Sequence, residues 1–287
     1  MYNNNQKDMA TTHSPAHISA TATATGFRTT RDQARATENL ILYWLHRFGY
    51  LTAHQVARLV YQQHHQGEAL ARRTLLRLER RGLVLRHRGQ LGEYGYYGLT
   101  LPGARQVYDL FGLTAQSAKD VIRLPSRHRT FANDIAISCL QTGWPKVWTE
   151  REIQTNQAPF RKIGKKIPDA AASDQEGYVT WVEVEASRRG GRDLQRLASW
   201  LAYTAYPPSA DQQMIALDIA GHYYLDRVRF ALVVPQSQTL PGRLYRALEP
   251  LLDRQWRNPW DFAANRLEFE LLDGRVQVGW EEVSAKK

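Results

Sequence analysis

IPDAAASDQEGYVTWVEVEAS, residues 167–187, decides the fold of the C-terminal half, because it predicts two adjacent strands that carry carboxylates among apolar residues. Side chains alternate along a strand, so Glu183 and Glu185 share one face with Trp181. Asp169 follows a proline on the preceding strand. Carboxylates this close repel one another unless they are protonated, paired with arginine or bridged by a cation. The stretch therefore predicts a metal-dependent nuclease centre, the relic of one, or an ion-paired structural site.

The segments around this stretch predict an α/β domain over residues 127–287. In front of it, the segment SRHRTFANDIAISCLQTGW has helical spacing of apolar residues, and VWTEREI is a short strand. Behind it follow a helix, RDLQRLASWLAY, a strand, VRFALVVP, and a second helix, GRLYRALEPLLDRQW. The last segment, RLEFELLDGRVQVGW, predicts a hairpin around Asp273 and Gly274. The predicted order of core elements is α-β-β-β-α-β-α.

Residues 34–112 predict a winged helix-turn-helix, which is three helices followed by a two-stranded hairpin. The first helix carries an apolar stripe and ends at Gly49, and the second begins at Thr52 with Gln55 as its capping partner. The third helix, ALARRTLLRLERRG, ends at Gly82. The strands LVLRH and YYGLT flank a glycine-bearing tip, and a further helix, PGARQVYDLFG, follows. In this arrangement the third helix lies in the major groove and the hairpin is the wing.

Positive charge is concentrated in the same half of the chain. The formal net charge is +10; residues 28–100 contain 12 arginines, no lysine and 5 acidic residues, whereas residues 147–287 contain 19 residues of each sign. Such an excess favours a polyanionic partner, and the arginine guanidinium binds guanine and phosphate well. We therefore predict that the third helix and the wing bind double-stranded DNA through Arg72, Arg73, Arg77, Arg80, Arg81, Arg86 and Arg88. The alternatives are a solvated basic surface and a winged helix that contacts protein.

The remaining segments predict no further domain. Residues 1–33 are rich in Ala, Thr, Ser and Asn and are expected to be a disordered tail, and residues 113–126 a linker. No apolar run has the length of a membrane span, and the N-terminus lacks the pattern of a signal peptide. The single cysteine, Cys139, excludes an intramolecular disulfide and favours a cytoplasmic location. Neither a Walker motif for an ATPase nor a cysteine beside His64 and His65 for a zinc site is present.

The order of elements and the acidic residues resemble the PD-(D/E)XK nuclease fold. Pro168 and Asp169 match its first motif and Glu183 matches the second. The resemblance implies that Asp169 and Glu183 hold Mg²⁺ and that Glu185 stands beside them in the catalytic set. The C-terminal domain is therefore expected to be restriction-endonuclease-like.

One position departs from the nuclease pattern. The fold places a lysine two residues after the glutamate, and this chain has Glu185 there, which cannot supply the missing positive charge. Lys165 and Lys166 are upstream candidates for a substitute on another strand. The ion-paired alternative rests on arginines that follow the strand, namely Arg188, Arg189 and Arg192.

A longer part of the chain, residues 38–205, resembles the replication-relaxation family of plasmid and integrative-element proteins. The resemblance rests on the arginine-rich third helix with the tyrosine-rich segment YGYYGLTLPGARQV, on His128 with Asn133 and Asp134, and on PDA followed by a WVEVE strand. It implies a DNA-binding accessory protein in plasmid replication, mobilisation, conjugation or DNA relaxation, with a relaxase or another such protein as a partner. It does not by itself imply a catalytic centre.

The sequence leaves three functions open. The favoured one is a non-catalytic DNA-binding factor, at an origin or in transcriptional control, whose nuclease-like domain is inactive. The second is a Mg²⁺-dependent nickase or endonuclease that uses Asp169 and Glu183. The third is a docking module that recruits a relaxase or another partner. A homodimer on a palindromic site is an ordinary arrangement for a winged helix.

Overall fold

The computed structural model describes residues 29–87, 95–118, 127–160, 166–186, 189–205, 217, 222–233, 238–251 and 267–272. These residues form a mixed α/β structure of helices and two sheets. Residues 1–28 of the expected tail lie outside the described residues. The prediction that the tail extends to residue 33 is wrong, because a helix capped by Thr29 begins at Thr30. Residues 119–126 of the expected linker and the turn at Asp273 and Gly274 lie outside the described residues.

The N-terminal half packs helices against a small antiparallel sheet. Its elements are α1 (Thr30–Phe48), β1 (Tyr50–Thr52), α2 (Ala53–Val60), α3 (Gly67–Arg80), β2 (Val84–His87), β3 (Tyr96–Leu99) and α4 (Leu101–Phe111). The sheet order is β1-β3-β2. Thr52 and Gln55 form the predicted capping box, with Gln55 N donating to Thr52 Oγ1 at 3.2 Å. Gly82 follows α3 with φ +71°, a left-handed conformation that glycine adopts without strain.

The C-terminal half is built on a larger sheet. Its described elements are α5 (Arg127–Gln141), β4 (Lys146–Thr149), α6 (Glu150–Gln154), β5 (Ala170–Ser173), β6 (Tyr178–Glu185), α7 (Gly191–Ala205), β7 (Tyr224–Val233), α8 (Leu240–Leu248) and β8 (Leu267–Leu272). The strand order is β4-β5-β6-β7-β8. Strand β5 runs antiparallel to both β4 and β6, whereas β7 runs parallel to both β6 and β8.

The prediction that VWTEREI forms a single strand is wrong beyond Thr149. Strand β4 ends at Thr149, and the short helix α6 begins at Glu150. The reason is a second capping box, in which Glu152 N donates to Thr149 Oγ1 at 3.2 Å and Thr149 N donates to Glu152 Oε2 at 2.9 Å. The threonine and glutamate that make this box are visible in the sequence.

Two hydrophobic clusters cover the two faces of the larger sheet. Val182 and Val184 of β6 belong to the cluster that includes α5 and the N-terminal helices. Trp181 points to the opposite face and belongs to the cluster with α7 and α8. The pairing of β6 with β7 is regular from Thr180 to Glu185, so the alternation of faces holds along the acidic stretch.

Helix α5 joins the two halves of the chain. Its apolar side chains share one cluster with α1, α2 and the inner face of the larger sheet. Polar contacts that connect the halves are Arg58 Nη1 to Asp134 Oδ1 (3.1 Å), Asn133 Nδ2 to Tyr50 O (2.9 Å) and Arg47 Nε to Glu152 Oε1 (2.6 Å). Asn133 and Asp134 therefore hold the two halves together. Among the described helices, none combines the length and apolar character needed to cross a bilayer.

Candidate nucleic-acid interface and acidic cluster

The outward face of α3 carries the first group of predicted site residues. Ala71, Leu75 and Leu78 are buried and define the inner side of the helix. Because successive residues turn by about 100° around a helix, the opposite side is formed by positions 69, 72, 73, 76 and 80. These positions are exposed and hold Ala69, Arg72, Arg73, Leu76 and Arg80. Three of the seven predicted arginines thus project from one surface of the helix.

Arg72 is held in place within this surface. Its Nε donates to Glu68 Oε1, one turn earlier, at 3.1 Å. The same hydrogen bond is the main reason that the pKa of Glu68 is lowered. The Arg72 side chain remains more than half exposed, so its outer donors are accessible from solvent.

Arg77 and Arg81 lie on the flank of α3 that turns towards α1. Arg77 Nε donates to Glu38 Oε1, and Arg81 Nη1 donates to Glu38 Oε2 at 2.5 Å. Glu38 is buried, whereas each arginine side chain is 49% exposed. These two arginines therefore neutralise a buried carboxylate and tie α3 to α1, in addition to the positive charge that they present.

The hairpin contributes one described arginine. Arg86 is exposed on β2, and its guanidinium carbon lies 5.7 Å from the centroid of the Tyr97 ring on β3. Stacking of this kind orients a guanidinium and leaves its edge available for hydrogen bonding. Arg88, the second arginine predicted for the wing, lies outside the described residues.

The second group of predicted residues lies where β5 begins and β6 ends, and Asp169 directly precedes β5. Asp169 Oδ2 accepts a hydrogen bond from Val184 N at 2.7 Å and lies 3.1 Å from His128 Nε2 of α5. The hydrogen bond to Asp169 raises the pKa of His128, against the opposing effect of burial. Asp169 therefore has a main-chain donor and an imidazole as partners.

Glu183 is buried on the Trp181 face of β6, as the strand alternation predicts. Trp181 Nε1 donates to Glu183 Oε1 at 2.6 Å, and Lys166 Nζ bonds Glu183 Oε2. Burial raises the pKa of Glu183 to about 7; Lys166 lowers it and the charge of Asp169 raises it further. Lys166, one of the two predicted substitutes for the missing lysine, thus lies against this glutamate, whereas Lys165 lies outside the described residues.

Glu185 is also buried and also has a basic partner. Arg189 Nε donates to Glu185 Oε1 at 2.6 Å. Burial disfavours the Arg189 cation, but the bonded carboxylate outweighs this, so the pKa of Arg189 is raised. Of the other two arginines in the ion-paired alternative, Arg192 is exposed at the start of α7 and Arg188 lies outside the described residues.

This arrangement does not fit a divalent cation as it stands. A Mg²⁺ site needs carboxylate oxygens that are free to coordinate, and a neighbouring ammonium competes with the metal for them. Here Asp169 accepts from Val184, and Glu183 is bonded by both Lys166 and Trp181. Within the part of the chain that the structure describes, no three His, Cys, Asp or Glu side chains are grouped to share a metal ion.

Two contacts in and beside the acidic cluster, which consists of Asp169, Glu183 and Glu185, were not predicted from the sequence. The sequence gives His128 only as part of a motif, whereas in the structure it pairs with Asp169 from α5, a helix far away in the chain. On the next residue of α5, Arg129 Nε lies 3.4 Å from Glu150 Oε2. No local sequence pattern predicts contacts between residues so far apart in the chain. The bond from Trp181 to Glu183 was foreseeable, since residues two apart share a strand face.

Comparison with known proteins finds one similarity. A family model described as replication-relaxation matches residues 42–206, which is more than half of the chain. The matched segment contains α3 with its arginines, the helix α5 and the acidic stretch of β5 and β6. Neither a curated protein nor a solved structure matches the sequence.

Proposed function

The chain belongs to the replication-relaxation family, and from this premise we propose that it is a DNA-binding accessory protein for the replication, mobilisation or relaxation of a plasmid or mobile element. The observation that carries the proposal is the exposed face of α3, where Arg72, Arg73 and Arg80 project together. We expect the protein to act on double-stranded DNA in the cytoplasm, with a relaxase or a second copy of the chain as its protein partner.

The architecture of the N-terminal half supports the proposed mode of binding. Three helices and the antiparallel sheet β1-β3-β2 follow the order of a winged helix. In this mode α3 lies in the major groove, where arginine side chains reach guanine edges and phosphates. The hairpin of β2 and β3 lies beside it with Arg86 facing the sugar-phosphate backbone.

We interpret the acidic cluster as a charge-balanced structural network within a restriction-endonuclease-like domain that is inactive. The pairs His128–Asp169, Lys166–Glu183 and Arg189–Glu185 support this interpretation, because each carboxylate has its own basic partner. A buried carboxylate that loses its basic partner is destabilising, so a structural role accounts for such pairs without catalysis.

A metal-dependent nickase is the second candidate function. It is favoured by the position of Lys166, which lies against Glu183 and close to the charge of Asp169. The nuclease fold has a lysine beside its acidic residues, and Lys166 could take that role in place of Glu185. Incubation of the protein with supercoiled plasmid, with and without Mg²⁺ or Mn²⁺, separates the two functions. Metal-dependent nicking that disappears in Asp169→Ala would establish the nickase; intact plasmid under all conditions supports the structural network.

DNA binding is tested by Arg73→Ala, with Arg105→Ala on α4 as the matched control. Both arginines are exposed, but only Arg73 lies on the outward face of α3. We expect Arg73→Ala to lower the affinity for a duplex in fluorescence anisotropy and to reduce the slope of log K against log salt by about 1. Arg105→Ala should bind like the wild type. Equal affinity and equal salt slope for both variants would refute the α3 interface.

A further inference from the structure

The outward side of α3 carries two apolar residues among its arginines. Ala69 and Leu76 lie opposite the buried side of the helix, two turns apart, and Leu76 is 37% exposed. Arg72 and Arg73 lie one turn before Leu76 on the same side of the helix, and Arg80 lies one turn after it. A partly exposed leucine therefore lies within this basic surface, and its contact with water is unfavourable until a partner covers it.

The major groove of DNA offers an apolar partner of matching size. Thymine presents its C5-methyl group there, and guanine presents two acceptors that arginine binds. We infer that Leu76 contacts a thymine methyl group and that the arginines around it bind neighbouring guanines or phosphates. This inference rests on the proposed function and deepens it, because it makes α3 a reader of base sequence rather than a binder of the backbone alone.

Single exposed leucines are ordinary on protein surfaces, so the surroundings of Leu76 carry the argument. Leu110 of α4 has almost the same exposure, 39%, but its neighbour in the chain is Asp109 and α4 lacks the row of arginines. A polyanion is attracted to the surface around Leu76 and not to that around Leu110. The two leucines therefore form a matched pair for experiment.

The test uses the full chain and duplexes enriched by it from a library of random-sequence DNA. Each thymine of the enriched duplex is replaced in turn by uracil, which removes only the methyl group. For the wild type we expect one uracil position to weaken binding about three- to five-fold, the effect of losing one buried methyl group. In Leu76→Ala the same position should lose this effect, whereas Leu110→Ala should retain it. Thermal unfolding verifies that both variants fold, and Leu76→Gln repeats the measurement with a side chain of similar length.

The outcomes separate this inference from the proposed function. DNA binding with no enriched sequence, or a uracil effect that persists in Leu76→Ala and Leu76→Gln, overturns the contact with thymine and leaves the DNA-binding function standing. Failure of the wild type to bind any duplex overturns both. Retained DNA affinity in Leu76→Ala with loss of a co-purified protein would assign the leucine to a protein partner and also overturn the contact.

Discussion

At the scale of single residues, the buried carboxylates depend on the chemistry of their partners. Glu38, Glu183 and Glu185 are each buried, and each accepts hydrogen bonds from arginine or lysine. Burial alone would make these charges unstable, because water no longer solvates them. The basic partners come from a neighbouring helix, a neighbouring strand segment and the same stretch of chain, respectively. The burial of these carboxylates therefore depends on the basic side chains that neutralise them.

The pH dependence of stability should report the environment of Glu183. Burial raises its pKa from 4.5 to about 7, so the folded protein holds a proton that the unfolded chain releases between these pH values. Stability from this group is present at low pH and is lost as the pH rises through this interval. His128, whose pKa is raised above 6.5 by Asp169, adds a loss in the same direction at higher pH.

We therefore expect Glu183→Gln to gain stability relative to the wild type as the pH rises from about 4.5 to about 7, because the amide carries no charge to bury. Urea unfolding at a series of pH values measures the difference in the free energy of unfolding. His128→Gln serves as the control, since it should remove only the loss at higher pH. A difference between Glu183→Gln and the wild type that does not change with pH would contradict the raised pKa of the buried Glu183.

At the scale of elements, helix ends and strand faces were predictable because their signals are local. The capping box at Thr52 and the glycine after α3 mark helix ends in the sequence, and the structure confirms both. Strand β4 stops at Thr149 because Thr149 and Glu152 form the capping box that starts α6. Alternation predicted the face of Glu183 but not the roles of the α3 arginines. Arg77 and Arg73 look equivalent in the sequence, and only the packing of α3 against α1 separates them.

The contact between α1 and α3 should be asymmetric in its energetics. The double substitution Arg77→Ala and Arg81→Ala leaves Glu38 buried without a partner, so we expect it to cost about 1–3 kcal/mol, less than a fully buried pair because both arginines are half exposed. Glu38→Gln removes the charge instead and should cost less. Arg80→Ala, at an exposed position of the same helix, should be nearly neutral.

Urea denaturation of these variants measures the free energy of unfolding, and fluorescence anisotropy with a duplex measures binding. If Glu38→Gln is as destabilising as the double arginine variant, the cost of the double variant does not come from an unpaired buried charge on Glu38. If Arg80→Ala is the most destabilising of the three, the packing assigned to α3 is wrong.

At the scale of the whole molecule, the two halves share one hydrophobic cluster and several buried polar contacts. Helix α5 contributes to both, through its apolar side and through Asn133 and Asp134. The motif on which the family resemblance partly rested is thus explained by the junction between the halves. The net positive charge belongs to the N-terminal half, whereas Asp169, Glu183 and Glu185 belong to the C-terminal half.

We expect the two halves to unfold together, because the shared cluster couples them. Far-UV circular dichroism and tryptophan fluorescence should give coincident urea transitions for the wild type. Asp134→Ala removes the buried partner of Arg58 and should shift both transitions to lower urea by the same amount. Two separate transitions, or a shift in one signal only, would mean that the halves are independent domains.

The sequence by itself determined most helices and strands, the helix ends at Thr52 and Gly82, the shared face of Glu183 and Glu185 and the family, because these depend on residues close together in the chain or on motifs in order. Only the tertiary structure decided which arginines face outward and which cation neutralises each carboxylate. Glu38 meets Arg77, and Asp169 meets His128, across separations of about forty residues. Such pairs form where packed elements meet, and no local pattern encodes the meeting point. The physical reason is that a buried charge takes its partner from whichever element the core brings beside it.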